Sequence, residues 1–252
     1  MKKFFYLFAM VALLATSACT KDDDVDTNVE FKDVTIKVGE AYTIPNGENV
    51  TWSASNTLVV SVTGNVVTGE CAGVTTLSSN LGSFEVTVVP SNDKFQEPIL
   101  TWGLSKNGVK DAMTKNYTAF ALDSEDDTNL TYVGAGIVTM YNYDFGPTLN
   151  GSGMLVNADI IDAEEMADYM SQRYIVTEVD DEDGTVYFAS TDQKTGASVS
   201  ADNIAGGVYW IVYYIPLTST KAGDIKSAFE GKVKVSNSNK DYYNKLKSAL
   251  VK

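Results

Sequence analysis

The chain contains no histidine among its 252 residues. Histidine is the usual general base of hydrolases and the commonest transition-metal ligand, so its absence excludes a Ser-His-Asp triad and a histidine-based metal site. A phosphate-binding loop is not predicted either, because Gly134-Ala135-Gly136 lacks both a third glycine and a following helical pattern. The sequence therefore predicts a protein that is not an enzyme and that holds no cofactor or metal.

Cysteine is nearly as scarce, with only Cys19 and Cys71. Cys19 is the predicted lipid-attachment residue of an export signal described below, which leaves Cys71 without an intramolecular partner. No disulfide framework is expected, and Cys71 is interpreted as a small buried apolar residue. Stability has to come from packed cores, of which a chain of this length supplies about two.

Positive charge is scarce as well: Lys and Arg total 19 against 33 Asp and Glu, for a formal net charge of -14. A phosphate backbone repels such a protein, so nucleic-acid binding is not expected. Residues 219–252 are the exception, because they carry eight lysines and three acids. We predict a basic, partly helical tail there, with Tyr243, Leu246 and Leu250 on one stripe of a helix. The tail either folds back on the acidic body, which we favour, or reaches a partner.

The only long apolar run, Phe4 to Ala15, is shorter than the roughly 20 residues that a membrane-spanning helix requires. Lys2 and Lys3 precede the run, and three small residues follow it at positions 16–18. This arrangement is typical of a secretory signal peptide, which we assign to residues 1–18.

Thr16-Ser17-Ala18-Cys19 resembles the lipobox of bacterial lipoproteins, although Thr16 stands where leucine is usual. The resemblance implies that Cys19 becomes the acylated first residue and anchors the protein in the outer membrane. Each buried CH₂ contributes about 0.8 kcal/mol, so several acyl chains hold durably. The alternative is an ordinary signal peptide that leaves a cysteine near the cleavage site.

Residues 19–28 are interpreted as an acidic tether between the lipid and the first domain. The run Lys21-Asp22-Asp23-Asp24 resembles the surface-export signal of lipoproteins from one large Gram-negative phylum, which implies exposure on the cell surface. The alternative is a plain spacer on a protein that faces the periplasm.

Residues 29–90 form the first predicted domain. Apolar and polar residues alternate along Val34–Val38 and along Phe84–Val88, and Gly64-Asn65 is a hairpin signal between two other short runs. This period-two pattern with closely spaced turns predicts an all-β sandwich.

A resemblance to a known module rests on four segments of this domain. In order along the chain they are Trp52-Ser53-Ala54-Ser55-Asn56, the strand Val60-Ser61-Val62, Gly64-Asn65-Val66-Val67-Thr68 and Ala72-Gly73-Val74-Thr75-Thr76-Leu77. Together they resemble the group 2 bacterial immunoglobulin-like domain, which is common in surface and adhesion proteins. The resemblance covers roughly residues 29–90 and implies an Ig-like sandwich that acts as a spacer.

The second predicted domain spans residues 95–218 and is α+β. Helical spacing predicts helices over Ser105–Lys115 and Ala163–Arg173, with Ser105 and Asp162 as N-caps. Strand patterns follow each helix: Leu130–Val133, Ile137–Phe145 and Met154–Ala158, and then Tyr174–Val179, Val186–Ala189, Ala197–Ala201 and Val208–Ile215. This order indicates an internal duplication of a helix with an antiparallel sheet.

Trp102-Gly103-Leu104-Ser105, followed by Val109, Met113 and a tyrosine-rich hairpin, resembles the tandem modules of β-lactamase-inhibitor-like proteins. Modules of this kind also occur in envelope lipoproteins. The resemblance implies that each helix covers one face of the sheet and that the other face is open to a protein partner.

Two acidic clusters, Asp123–Asp127 and Asp180–Asp183, fall between predicted strands. Neither has the ligand spacing of an EF-hand, and Asp183-Gly184 is typical of a hairpin turn, so we interpret both as solvated turns. Calcium binding and a glycosidase-type carboxylate pair are the open alternatives.

Tyrosines concentrate in the predicted strands of the second domain. A tyrosine-lined sheet is suited to binding, because each ring adds contact area and a polar tip. Alternation places Tyr209 and Tyr213 on one face of their strand, and Tyr141 and Tyr143 on one face of another. The candidate partner surface consists of Tyr132, Tyr141, Tyr143, Tyr187, Tyr209 and Tyr213. The alternative is that these rings form the core.

These features predict a lipid-anchored, cell-surface protein that binds a protein or a glycan without catalysis. The interpretation rests on the export signal, the module resemblance and the aromatic strands. A protein-binding inhibitor or assembly factor of the envelope is the second interpretation, and a carboxylate-based glycan hydrolase is the third.

Overall fold

A computed structural model describes residues 29–180 and 184–217 of the chain. The predicted signal peptide, Cys19, the acidic tether, the tail at 219–252 and three residues of the second acidic cluster lie outside this range. The described residues form fifteen strands and two helices in several sheets, so the protein is mostly β, as predicted. Neither described helix is long and apolar enough to cross a membrane.

Seven short strands build two small sheets in residues 34–89. Their bounds are β1 Val34–Lys37, β2 Ala41–Thr43, β3 Ser53–Ala54, β4 Val60–Thr63, β5 Val66–Gly69, β6 Gly73–Ser78 and β7 Ser83–Val89. One sheet has the order β1-β7-β6-β3 and the other β2-β5-β4, with β1 and β7 parallel. Both sheets contribute to one apolar cluster, which includes Ile36, Val67 and Val86.

The two-residue period of the sequence explains this cluster. In β7, Phe84, Val86 and Val88 are buried while Glu85 is exposed, so the predicted alternation is confirmed there. Trp52 contacts the Phe84 ring edge-on at a centroid distance of 5.7 Å. Its indole N–H donates to the Gly47 carbonyl at 3.3 Å, which satisfies the one polar atom of a buried ring.

The remaining elements form one eight-stranded antiparallel sheet with two helices. In chain order they are α1 Lys106–Asn116, β8 Ala121–Glu125, β9 Asn129–Val133, β10 Val138–Phe145, β11 Leu149–Asn157, α2 Ala163–Ser171, β12 Tyr174–Asp180, β13 Thr185–Ser190, β14 Thr195–Ile204 and β15 Gly207–Pro216. The order across the sheet is β12-β13-β14-β15-β11-β10-β9-β8. Each helix is followed by a four-stranded meander, and the two meanders meet where β11 pairs with β15.

The predicted N-caps start both helices. The Ser105 hydroxyl accepts a hydrogen bond from the Gly108 N–H at 3.1 Å, which satisfies a backbone donor that the first turn leaves free. Asp162 accepts from the Glu165 N–H at 2.9 Å, and the Glu165 carboxylate accepts from the Asp162 N–H, which completes a capping box. Helix α2 ends two residues earlier than predicted, and Arg173 lies in the turn that follows.

Strand β8 was not predicted, and it corrects the interpretation of the first acidic cluster. Asp123 and Glu125 lie in this strand, and only the rest of the cluster lies in the turn after it. All five side chains of β8 are exposed at the edge of the sheet, where charged residues need no desolvation.

Strand β11 begins at Leu149, five residues before its predicted start at Met154. The sequence there contains Gly151 and Gly153, which interrupt the apolar pattern of a strand. Both glycines lie inside the strand because the Tyr213 side chain of β15 packs across them, and a Cβ atom at position 151 would collide with the Tyr213 hydroxyl.

The face of the eight-stranded sheet that contacts the helices, called the helix face below, carries the main core. Five apolar helix side chains are buried there: Val109 and Met113 of α1, and Met166, Tyr169 and Met170 of α2. The opposite face is called the far face. Alternate residues of β15 belong to the two faces, as predicted: Trp210, Val212 and Tyr214 to the helix face, and Tyr209, Ile211 and Tyr213 to the far face.

The two parts of the chain are joined by hydrogen bonds as well as by the connecting peptide. The Gln172 side-chain oxygen accepts from the N–H groups of Ser91 and Asn92, at 2.8 and 3.0 Å. The Gln172 carbonyl accepts from the Ala72 N–H at 2.8 Å, and Thr191 Oγ1 donates to the Ala72 carbonyl at 2.9 Å. The predicted linker between the domains is therefore held against the second part of the chain.

Gly73 lies at this contact with a φ of 155°, a conformation that side chains rarely adopt. A Cβ atom there would lie 2.9 Å from Val59 Cγ2 and would clash with Thr191 Oγ1. We expect Gly73→Ala to lower the free energy of unfolding by about 2–4 kcal/mol, from backbone strain and overpacking, as measured by urea denaturation.

Gly64→Ala is the matched control for this prediction. Gly64 also has a positive φ, of 61°, but nothing lies within 4 Å of its Cβ position. Only the backbone strain of about 1–2 kcal/mol should appear. Equal losses in the two variants would contradict the close packing at Gly73.

Candidate ligand-binding cleft

The predicted tyrosine surface is divided between the two faces of the sheet. Tyr132, Tyr141 and Tyr143 lie on the helix face and are 6%, 1% and 0% exposed. Tyr187 is 8% exposed and lies on the far face. Burial places these four rings in the core, which is the alternative that the sequence left open.

Tyr209 and Tyr213 are the partly buried members of the predicted surface, and both lie on the far face. The Tyr213 hydroxyl donates to Asp144 Oδ2. Neighbouring far-face residues such as Met140 and Leu155 are each 1% exposed. The tandem-module resemblance implies a sheet face that is open to a partner, whereas this part of the far face is buried.

The buried hydroxyl groups hold residues 95–100 over the helix face. Tyr141 donates to the Gln96 carbonyl at 2.7 Å, and the Ile99 N–H donates to Tyr143 Oη at 3.3 Å. Ser152 Oγ donates to the Ile99 carbonyl at 2.8 Å. A segment with no helix or strand of its own is thus fixed by side chains of the sheet beneath it.

A cleft of about 700 Å³ opens beside this segment. A smaller hollow of about 340 Å³ lies next to it, and the two share Lys94, Phe95, Gln96 and Tyr117. The rest of the larger cleft is lined by Asp93, Glu97, Pro98, Leu100, Tyr169 and Arg173.

The ends of both helices supply aromatic walls to the cleft. Tyr169 of α2 stacks on Phe95 at a centroid distance of 3.9 Å, and its hydroxyl donates to the Phe95 carbonyl at 3.2 Å. Tyr117 caps the C-terminus of α1 and donates its hydroxyl to the Glu97 carbonyl at 2.7 Å. Burial raises the pKa of Tyr117 to about 12, so this hydroxyl keeps its proton at neutral pH.

Arg173 is fixed in the cleft wall by the turn that follows α2. Its Nη1 donates to the Tyr169 carbonyl at 3.0 Å and its Nη2 to the Asn92 carbonyl at 2.7 Å. The guanidinium group lies 3.7 Å from the centre of the Tyr169 ring, a cation–π contact. Asp93 pairs with it at 3.3 Å, but the Asp93 side chain is 80% exposed, so this ion pair contributes little.

Glu97 is the deep carboxylate of the cleft. Tyr174 Oη donates to Glu97 Oε1 at 2.7 Å, and Arg173 Nε lies 3.8 Å from Oε2. Burial raises the pKa of Glu97, while the Tyr174 hydrogen bond and the Arg173 charge act in the opposite direction. Burial and the charge of Glu97 together hold the pKa of Tyr214, beside it, well above its ordinary value. The Glu97 side chain is 25% exposed in the cleft, while its carboxylate group is buried beside Tyr174, Tyr214 and Arg173.

The cleft thus combines a partly exposed glutamate, a fixed guanidinium group and aromatic walls. Such a site accepts hydrogen bonds from ligand hydroxyl or amino groups and offers apolar surface to the rest of the ligand. A carboxyl group with a perturbed pKa in a cleft is a frequent mark of a functional site.

Sequence reasoning missed both Glu97 and Arg173. A signal for Arg173 was present, because it is the only arginine of the chain and the last residue of the second predicted helix. Glu97 carried no such signal, since it lies between the predicted linker and the first predicted helix, and its position is set by tertiary contacts alone.

The first acidic cluster forms a turn where it leaves β8. Asp126 Oδ1 accepts hydrogen bonds from the N–H groups of Thr128 and Asn129, both at 2.9 Å. Glu125, at the end of β8, pairs with Lys110 of α1 at 2.5 Å. Within residues 29–180 and 184–217, no three His, Cys, Asp or Glu side chains are grouped so that they could hold a metal ion.

Cys71 is a buried free thiol, as predicted. It is 2% exposed, and burial raises its pKa to about 11. The thiolate that nucleophilic chemistry requires is therefore rare at neutral pH.

Comparison with known proteins gives no relative. No family profile matches the chain, and no curated protein matches it. Its function is therefore inferred from the cleft and from the sequence features themselves.

The pKa of Glu97 determines a pH dependence of stability. A carboxyl group whose pKa is higher in the folded than in the unfolded chain destabilises the folded state once it ionises. This destabilisation is absent below the pKa that a glutamate has in the unfolded chain, roughly 4.3. It grows as the pH rises from that value and is complete above the pKa of Glu97 in the folded protein. Glu97→Gln removes the charge and keeps an acceptor for Tyr174. We expect it to raise the free energy of unfolding at pH 7 and to change it little at pH 4, measured by urea denaturation.

Glu85→Gln is the control for this experiment, because Glu85 is an exposed strand glutamate and its replacement should alter neither value. A lower stability of Glu97→Gln at pH 7 would show that the contacts with Arg173 and Tyr174 outweigh the desolvation of the charge.

Proposed function

We propose that the protein is an outer-membrane lipoprotein, anchored through Cys19 and exposed on the cell surface, that binds a protein or a glycan without catalysis. Residues 29–90 act as an Ig-like spacer, and residues 95–218 act as an α+β tandem-module domain that carries the binding site. The observation that carries this proposal is the cleft around Glu97, where a partly exposed glutamate lies between aromatic walls.

Two topological features support the domain assignment. In residues 34–89, two sheets share one apolar cluster, as they do in a sandwich. In residues 105–216, a helix and a four-stranded meander recur at a nearly constant spacing. Asp162 follows Ser105 by 57 residues, and the buried Met170 follows Met113 by the same number. A constant spacing favours the duplication that tandem modules require.

A glycan fits the chemistry of the cleft. Its volume of about 700 Å³ lies within the usual range of sites for small ligands. Glu97 accepts hydrogen bonds from hydroxyl groups, while Lys94, whose side chain is 46% exposed, donates them. Phe95 and Tyr117, which line the cleft and are 9% and 8% exposed, offer aromatic surface to the apolar side of a sugar ring.

Binding through the cleft requires Glu97. We expect the full mature chain to be retained by at least one sugar on an array of cell-surface glycans. Glu97→Gln should weaken that interaction about tenfold or more, since a hydrogen bond to a charged group contributes about 1.5–3 kcal/mol. Glu85→Gln should bind like the wild type. No retention on the array, or equal affinity of Glu97→Gln and wild type, would exclude the cleft as a glycan site.

An inhibitor or assembly factor of the envelope is the second candidate, and the edge of the sheet favours it. Val176 and Val179 of the edge strand β12 are 51% and 53% exposed, and Leu122 of the opposite edge strand β8 is 46% exposed. Exposed apolar residues on an edge strand suit strand pairing with a partner protein. This function requires a stable one-to-one complex in pull-downs from envelope extracts.

The lipid anchor is tested separately from the ligand. Cys19→Ala should abolish labelling by a palmitate analogue and release the protein from the membrane fraction, because the acyl chains supply the membrane affinity. Cys71→Ala removes the other cysteine and should retain both properties. Labelling of Cys19→Ala would contradict the lipobox assignment.

Intact cells that produce the wild-type protein test on which side of the outer membrane it lies. Protease added to intact cells should degrade a surface-exposed protein. Survival until lysis would place it in the periplasm and would favour the inhibitor or assembly function.

A further inference from the structure

The far face of the eight-stranded sheet carries two buried apolar clusters. One contains Met140, Leu155 and Ile204, which are 1%, 1% and 2% exposed. The other contains Tyr187, Ala189, Ile215 and Leu217, with Ile215 fully buried. Within residues 29–180 and 184–217, every apolar member of both clusters belongs to the sheet itself or, for Leu217, follows directly after it.

Such burial requires a second layer. One face of a single sheet remains accessible to solvent unless another element packs on it, and α1 and α2 lie on the helix face. The parts of the chain that remain to cover the far face are residues 1–28, 181–183 and 218–252.

We propose that residues 218–252, the basic C-terminal tail, pack on the far face and form its second layer. The chain enters this segment from Leu217, a member of a far-face cluster, so the tail starts on the correct side of the sheet. The predicted stripe of Tyr243, Leu246 and Leu250 supplies the apolar surface that such a layer needs.

The dimensions agree with this packing. The far face between β13 and β10 spans four strand spacings, or roughly 20 Å. A helix over residues 241–251 is about 16 Å long. The residues between Leu217 and this helix number more than twenty, which is enough chain to reach any point of the face.

Charge complementarity favours the tail over the other segments. Strand register places Asp144, Glu178, Asp180 and Asp202 on the far face. The tail carries eight of the 19 basic residues of the chain and only three acids.

The alternative occupants carry the wrong charge. Asp22–Asp24 of the tether and Asp181–Asp183 are acidic and would be repelled by the acids of the far face. A second copy of the chain, docked through the same face, would bring like charges together as well. Residues 1–18 are also basic and apolar, but the predicted export signal is removed from the mature chain. The tail is therefore the segment of the mature chain that offers both an apolar stripe and positive charge.

Site-specific photocrosslinking in the full mature chain tests the assignment. Tyr209→p-benzoylphenylalanine places the photoreactive group on the far face, and Val176→p-benzoylphenylalanine, whose strand partner Phe188 belongs to the helix-face core, is the control. We expect the first variant to crosslink within one chain to residues 219–252 and the second not to do so. Crosslinks between two chains would assign the face to a second copy. Crosslinks to residues 19–28, or none to the tail, would also overturn the proposal.

Limited trypsin digestion provides an independent readout, because the tail is rich in lysine. Leu246→Asp disrupts the apolar stripe, while Ser248→Asp adds the same charge on the opposite side of the predicted helix. We expect the first variant to be cleaved within the tail about tenfold faster than the wild type or more, and the second far less, since cleavage follows the population of the undocked state. Equal cleavage rates in the wild type and both variants would overturn the docking. The cleft lies on the helix face, so this result and the ligand-binding result are independent.

Discussion

Arg173 joins three parts of the molecule through one side chain. Its guanidinium group donates to the backbone of α2 and to the connector at Asn92, lies over the Tyr169 ring, and faces the Glu97 carboxylate. A buried cation needs several partners to offset its desolvation, and here the partners come from three different segments. The connector between the two β-rich parts, the end of α2 and the carboxylate of the cleft therefore keep their relative positions together. The shape of the cleft is a consequence of this arrangement.

The parts of the fold that depend on local chemistry were predictable. Ser105 and Asp162 start their helices as the capping rule predicts, and the alternation of β15 assigns its residues to the correct faces. Strand β8 and the first half of β11 were missed for opposite reasons. An exposed edge strand needs no apolar pattern, and the glycines of β11 make room for a tyrosine from a strand more than 50 residues later in the sequence.

The candidate site was less predictable than the fold. Tyrosines were predicted to form a binding surface because their rings suit ligand contacts, but four of the six are buried. Two of these four, Tyr141 and Tyr143, use their hydroxyl groups to hold neighbouring backbone. Glu97 and Arg173 define the cleft through contacts that no spacing rule contains, because Glu97 precedes its hydrogen-bond donor Tyr174 by 77 residues. A single arginine in an acidic chain was the one local feature that pointed toward the site.

A sheet that is apolar on both faces limits where a ligand can bind. Strand β15 lies at the centre of the eight strands, with Tyr214 buried on the helix face and Ile215 buried on the far face, both at 0% exposure. Because both faces of the sheet are buried at its centre, the margins of the sheet remain for ligand binding. The cleft lies at such a margin, where the connector crosses the ends of the two helices, and the exposed valines of β12 lie at another. Binding at a margin separates recognition from the packing that stabilises the fold, so the residues around Glu97 can vary with the ligand while both apolar faces remain covered.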